Sequence, residues 1–199
     1  LIEGVRKASP ELFPLYGKPK PIPANRLQAA SNSQLSDLGE GIVIEAVESP
    51  GHAPHHISFF ERSHRYLFTG DALGNYGLPT DLPLTVPPRF DIEKGLSTIE
   101  RFKILRPKRL AFTHFGLSEG DPLRIIAAHE KRLSSWLERI GKERSAGLDE
   151  KEIVERILAE PEYRDLSPID RASVAICVRG AIATIAVSYT HLRAHETPE

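Results

Sequence analysis

Methionine is absent from all 199 residues, the initiator position included, and cysteine and tryptophan occur once each. A chain that opens on Leu1 is read as beginning inside a longer reading frame or after a cut. With Cys177 alone no internal disulfide can form, which suits a reducing, cytoplasmic setting. The missing native N-terminus leaves the question of a signal peptide open. No apolar run reaches the roughly 20 residues that a bilayer span needs. The most apolar stretch, residues 172–187, carries Arg179 and reads as a packing helix, so no membrane association is expected. Charge of one sign is also lacking: 26 Lys and Arg against 27 Asp and Glu leave a formal net charge of -1, and nucleic acid is not expected as a partner. Short basic clusters such as Arg106-Pro107-Lys108-Arg109 read as solvated turns. What remains, 40% hydrophobic and 27% charged residues, is the composition of one globular domain with a sizeable core.

Three short segments stand out in that ordinary background. Ser49-Pro50-Gly51-His52-Ala53-Pro54-His55-His56, Leu67-Phe68-Thr69-Gly70-Asp71-Ala72 and Ala111-Phe112-Thr113-His114-Phe115-Gly116 each set a metal-type ligand just beyond an apolar run. Each run reads as a buried strand, which places His52, Asp71 and His114 where strands leave the core for loops, a common location of sites on α/β scaffolds. Singly, a strand-end His is more often a hydrogen-bonding residue and a Gly-Asp pair more often a turn. Their order carries more weight. With strand, hairpin, long loop, helix and strand between them, the chain returns to one sheet edge each time.

That order resembles the second half of the metallo-β-lactamase superfamily, the αββα metallohydrolases. Pro50-Gly51-His52-Ala53-Pro54-His55-His56 is similar to its Pro-Gly-His-Thr-x-Gly-His segment, Phe68-Thr69-Gly70-Asp71 to its Phe-x-Gly-Asp segment, and Thr113-His114 to its last His, with the core of the match over residues 42–116. The resemblance implies an α/β fold, the C-terminal part of the sandwich with one sheet flanked by helices. It also implies a dinuclear site, zinc in the intact parent with iron or manganese as alternatives. In it His52 would bind the first metal, Asp71 would bridge both and serve as the catalytic carboxylate, and His114 would bind the second. Metal-bound hydroxide would attack an ester, thioester, lactone or similar bond of a small-molecule substrate. His56 aligns with a second His that sits behind the site, while His55 stands where Gly is usual; both are expected to support the ligands rather than to bind metal. Iron-dependent redox members of the same fold are the alternative reading.

The family's first-half signature, His-x-His-x-Asp-His, does not occur in this sequence. The expectation is an N-terminally truncated enzyme with half a site, inactive as it stands. The other end, residues 187–199, resembles a translated sequencing-adapter tail of metagenomic origin. His191 and His195 within it are four apart, yet lack the Glu that zinc peptidases place between such a pair.

Elsewhere the pattern predicts a short helix over residues 10–16, a Pro-rich connector to Pro23, a mostly buried strand from Ile42 to Val47, and a hairpin of residues 57–60 and 66–69. Residues 72–90 show no period and read as a long loop, a substrate-facing rim with Asn75 and Tyr76 nearest the metals, or a structural loop. Asp91 caps a helix whose stripe is Ile92, Leu96, Ile99, Phe102 and Leu105. Further helices over residues 123–140, 149–160 and 168–186 form a C-terminal extension, about 121–186, that shapes the pocket or a homo-oligomer interface. The partial domain is thus residues 1–186. Trp136 is assigned to core packing, and His64 and His129 to solvent.

Overall fold

The computed structural model describes residues 3, 6, 13–16, 20–74, 90–113 and 116–194. Asn75, Tyr76 and His114 lie outside the described residues. The chain divides into two compact units, Leu1–Ala30 and Ser31–Glu199. In the first, helix α1 (Phe13–Tyr16) precedes an extended Pro-rich stretch that ends in a 3-10 turn, Ala24–Arg26, closed by the Arg26 amide on the Pro23 carbonyl at 2.9 Å.

The second unit is α/β, built on one mixed sheet of six strands in sequential order: β1 (Leu35–Asp37), β2 (Val43–Glu48), β3 (Ile57–Glu61), β4 (Tyr66–Gly70), β5 (Arg109–Phe112) and β6 (Gly116–Leu117). All neighbours pair antiparallel except β4 and β5, which run parallel through the crossover helix α2 (Ile92–Leu105). Two antiparallel steps restore direction, so β2, β4 and β5 all end at the same sheet edge. The register sets Glu45 opposite Phe60, Phe60 opposite Leu67 and Leu67 opposite Leu110. Phe60, Leu67 and Leu110 are buried, in one core with Val47, Ile99, Phe102, Ile126 and Leu133. The next positions along β3 and β4, Phe59 and Phe68, face each other on the opposite side and are 44% exposed. Period two thus gives one dry face and one half-open face. Strand β2 is buried only over Ala46 and Val47, with Ile42 before it exposed.

Helix α2 begins where the sequence places it. The Asp91 carboxylate accepts the Lys94 amide at 3.0 Å, and Ile99 and Phe102 are buried in the core. Its C-terminus is tied to the β3–β4 turn, because the Arg65 guanidinium donates to the carbonyls of Leu105 and Arg106 at 2.6 and 2.8 Å. Helices α3 (Pro122–Ser145), α4 (Glu150–Leu158), α5 (Pro161–Arg164) and α6 (Pro168–Ala194) follow, so the expected extra C-terminal helices are present. Trp136 packs against the core. His129 corrects the sequence reading. It lies on the buried stripe of α3 with Ile126 and Leu133, not among the charged residues on either side of it. Helix α6 runs past residue 186 to Ala194. Among the described residues no helix is long and apolar enough to cross a membrane.

Candidate metal centre

His52 sits in the turn between β2 and β3, and that turn is fastened to the first turns of α2. The Asp91 amide donates to the Gly51 carbonyl at 3.0 Å and the Thr98 hydroxyl to the Pro50 carbonyl at 2.7 Å, while the Arg101 guanidinium holds the Glu48 carbonyl. Gly51, at φ +139, lies so close to the helix that a Cβ there would be 2.6 Å from the Gly95 Cα. Two glycines in contact let the turn reach the helix backbone.

Asp71 begins a 3-10 turn, Asp71–Leu73, directly after β4, with buried Leu73 anchoring its far end. The strand leaves the sheet through Gly70, at φ 55 and ψ -145. Gly70 is also the register partner of Phe112, the last residue of β5. Strand β5 therefore ends opposite Gly70, the residue before Asp71, and His114, two residues beyond Phe112, lies outside the described residues.

The structure brings His52 and Asp71 together, with Nε2 of the imidazole 3.7 Å from Oδ2 of the carboxylate and both side chains partly exposed. The Nδ1 of His52 is buried without a hydrogen-bond partner. A separation of 3.7 Å is long for a hydrogen bond. It fits two donors on a common ion, since ligands about 2.0–2.2 Å from one metal stand no more than about 4.4 Å apart. Imidazole nitrogen and carboxylate oxygen suit zinc, and equally iron or manganese. Among the described residues no group of three or more His, Cys, Asp and Glu side chains is gathered that could hold a metal. The pair is what those residues supply.

His56 lies behind that pair, its ring 5.9 Å from the His52 ring and edge-on to it. Its Nε2 accepts the Asp71 amide at 3.0 Å, and its Nδ1 meets Ser49 Oγ at 2.7 Å. Burial pushes the imidazole below its ordinary pKa, and nearby His52 pushes it the same way; Asp71 and the Ser49 contact pull it back. With both ring nitrogens engaged, His56 has no lone pair to offer a metal in this arrangement. His55 is exposed on the turn and acts on His56 only through space. His64 is exposed and borders Glu61 at 3.2 Å, in the hairpin turn away from the pair.

Sequence reasoning passed over the residues behind His56. Ser49 and Ser58 are fully buried with their hydroxyls 2.9 Å apart, and Ser58 donates to the Thr69 carbonyl at 2.9 Å. One signal was available. Ser58 occupies an inward position of β3, two residues from Phe60, where a polar side chain needs a partner.

Comparison with known proteins bears on the family and the fold. The chain is 31% identical over 136 residues to the metallo-beta-lactamase fold-containing protein ST1585 of Sulfurisphaera tokodaii, an alignment covering 68% of this chain and 49% of that protein. It thus spans about half the length of the curated relative it matches. The crystal structure of an archaeal metallo-beta-lactamase superfamily protein, ST1585 from Sulfolobus tokodaii, superposes with a TM-score of 0.65 at 25% identity, covering 92% of this chain and 62% of the other. The metallo-beta-lactamase family protein TTHA1429 of Thermus thermophilus shares the fold, with a TM-score of 0.58 at 18% identity over 94% of this chain and 60% of its own. The family model described as the metallo-beta-lactamase superfamily matches residues 3–114. More than half of the 199 residues fall within that match, and the chain belongs to the metallo-beta-lactamase superfamily.

Proposed function

We propose that this chain is part of a metal-dependent hydrolase in which His52 and Asp71 hold one metal ion, Asp71 bridges to a second, and His114 binds the second. The observation that carries the reading is the 3.7 Å approach of His52 Nε2 to Asp71 Oδ2 at the ends of two like-directed strands. Superfamily membership supports metal binding, often of zinc. Divalent ions held there supply Lewis-acid polarisation and make water more acidic. The chain's own part is to place that chemistry. The turn fastened to α2 sets His52, and the Asp71 carboxylate orients the attacking water and takes its proton. Asn75 and Tyr76, in the segment that follows Asp71, contact the substrate, a small carboxylic ester, thioester or lactone.

Because no His-x-His-x-Asp-His segment occurs in the sequence, the 199-residue chain is expected to bind zinc weakly and to show negligible turnover alone. A longer parent carrying that segment should hydrolyse such substrates until a chelator is added. In it Asp71→Ala should abolish activity and remove at least one metal per chain by elemental analysis, whereas His64→Ala should leave both within about twofold. Equal effects from the two substitutions, or stoichiometric iron with oxygen uptake, would overturn the assignment.

A further inference from the structure

The Asp71 amide fixes the direction of four consecutive hydrogen bonds. An N–H can only donate, so His56 Nε2, 3.0 Å away, presents a lone pair. A neutral imidazole that accepts there carries its proton on Nδ1, which therefore donates to Ser49 Oγ at 2.7 Å. Ser49 then has its own proton for Ser58 Oγ at 2.9 Å, and Ser58 has its proton for the Thr69 carbonyl at 2.9 Å. Reversing a link would set two donors or two lone pairs against each other. Ser49, Ser58 and Thr69 are fully buried, so water does not offer a substitute partner.

The path closes on itself. It leaves the backbone at the Thr69 carbonyl and returns at the Asp71 amide, spanning Gly70, whose own conformation has no side chain to hold it. We propose that Ser49 and Ser58, acting through His56, form a one-directional relay that positions the Asp71 backbone and holds His56 as its Nδ1–H tautomer, behind the ligands and outside their set. The inference rests on the reading that Asp71 is a metal ligand. The relay touches neither metal nor substrate; it sets where the Asp71 carboxylate stands relative to His52. Removing an outer hydrogen-bond partner of a ligand typically weakens metal binding by about 10- to 100-fold, the scale expected here.

Two-bond proton–nitrogen correlation spectra of the metal-free chain test the relay first. His56 should be protonated on Nδ1 and unprotonated on Nε2, the reverse of the tautomer imidazole prefers in water. Ser49→Ala and Ser58→Ala should speed hydrogen exchange of the Asp71 amide by about tenfold, with far-ultraviolet dichroism unchanged. Ser49→Ala should also mix the His56 tautomers and weaken zinc binding about 10- to 100-fold in calorimetry. A wild-type His56 protonated on Nε2 would overturn the relay, and so would a folded Ser49→Ala chain with unchanged tautomer and unchanged Asp71 exchange. Should both variants unfold, the wild-type tautomer alone decides. The Nδ1–H tautomer in a parent that carries the His-x-His-x-Asp-His segment and still binds no zinc would uphold the relay and overturn the metal reading instead.

Discussion

Gly70→Ala should be among the more costly single substitutions in this chain, and the structure gives two separate reasons. At φ 55 and ψ -145 the residue occupies a region essentially confined to glycine, and holding alanine there costs about 1–3 kcal/mol. A Cβ would also lie 2.5 Å from His56 Nε2 and 2.6 Å from its Cε1, so the imidazole must move. Moving it breaks the bond to the Asp71 amide, worth about 1 kcal/mol net and more if the amide is left unpaired. Together these put the loss at about 3 kcal/mol. Gly41→Ala separates the two causes. Gly41 also has positive φ, +78, but a Cβ there would meet nothing within 4 Å, so only the backbone cost of about 1–2 kcal/mol applies. Urea unfolding of both variants, compared at equal m-value, measures the difference. If Gly70→Ala costs no more than Gly41→Ala, the close approach of Gly70 and His56 is refuted.

Thr98→Val keeps the shape of a buried side chain while removing the hydroxyl that holds the Pro50 carbonyl. It should cost about 1 kcal/mol in urea unfolding and speed exchange of amides in the 50–56 turn, and unchanged exchange there would contradict the fastening of His52 to α2. Burial pushes the His129 pKa down from 6.5 to about 4, so below pH 6.5 the unfolded chain binds a proton that the native chain refuses; its contribution is intact above pH 6.5 and falls by roughly 3 kcal/mol as pH drops toward 4. His129→Leu should flatten that part of the stability profile between about pH 7 and pH 4.5, and parallel profiles for the two proteins would refute the buried neutral state.

How much of this was legible in the sequence depended on how local the cause was. Helix α2 was, because its cap at Asp91 and its stripe through Phe102 lie within one segment. Strand β1 was not. Its three residues are all exposed and show no alternation, and it exists because β2 offers an edge to pair with. His129 was misjudged from its neighbours Glu130 and Lys131, although its spacing from Ile126 and Leu133 marks the inward face of the helix. His52 and Asp71 were legible as strand-end ligand types, but their 3.7 Å approach and the serines behind His56 depend on tertiary contacts that no window of sequence contains.

Those tertiary contacts nevertheless follow from one local decision, the register of the β3–β4 hairpin. Phe59 pairs with Phe68, and continuing the same count past the strand ends brings His56 opposite Asp71. In the β2–β3 ladder Glu48 pairs with Ile57, and one further step brings Ser49 opposite His56, where the Ser49 amide does donate to the His56 carbonyl at 3.0 Å. The relay thus lies on the extension of two ladders. What pins the count is the turn: the buried Glu61 carboxylate accepts the amides of Ser63 and His64, both at 2.8 Å, and Arg65 takes φ +61 to re-enter the sheet. A slip of β4 by one residue against β3 would send Leu67 to the open face and Phe68 into the core, and would move Asp71 off His56 at the same time. The same hydrophobic alternation that holds the sheet together therefore fixes the placement of the candidate ligands, without needing any contact specific to a metal.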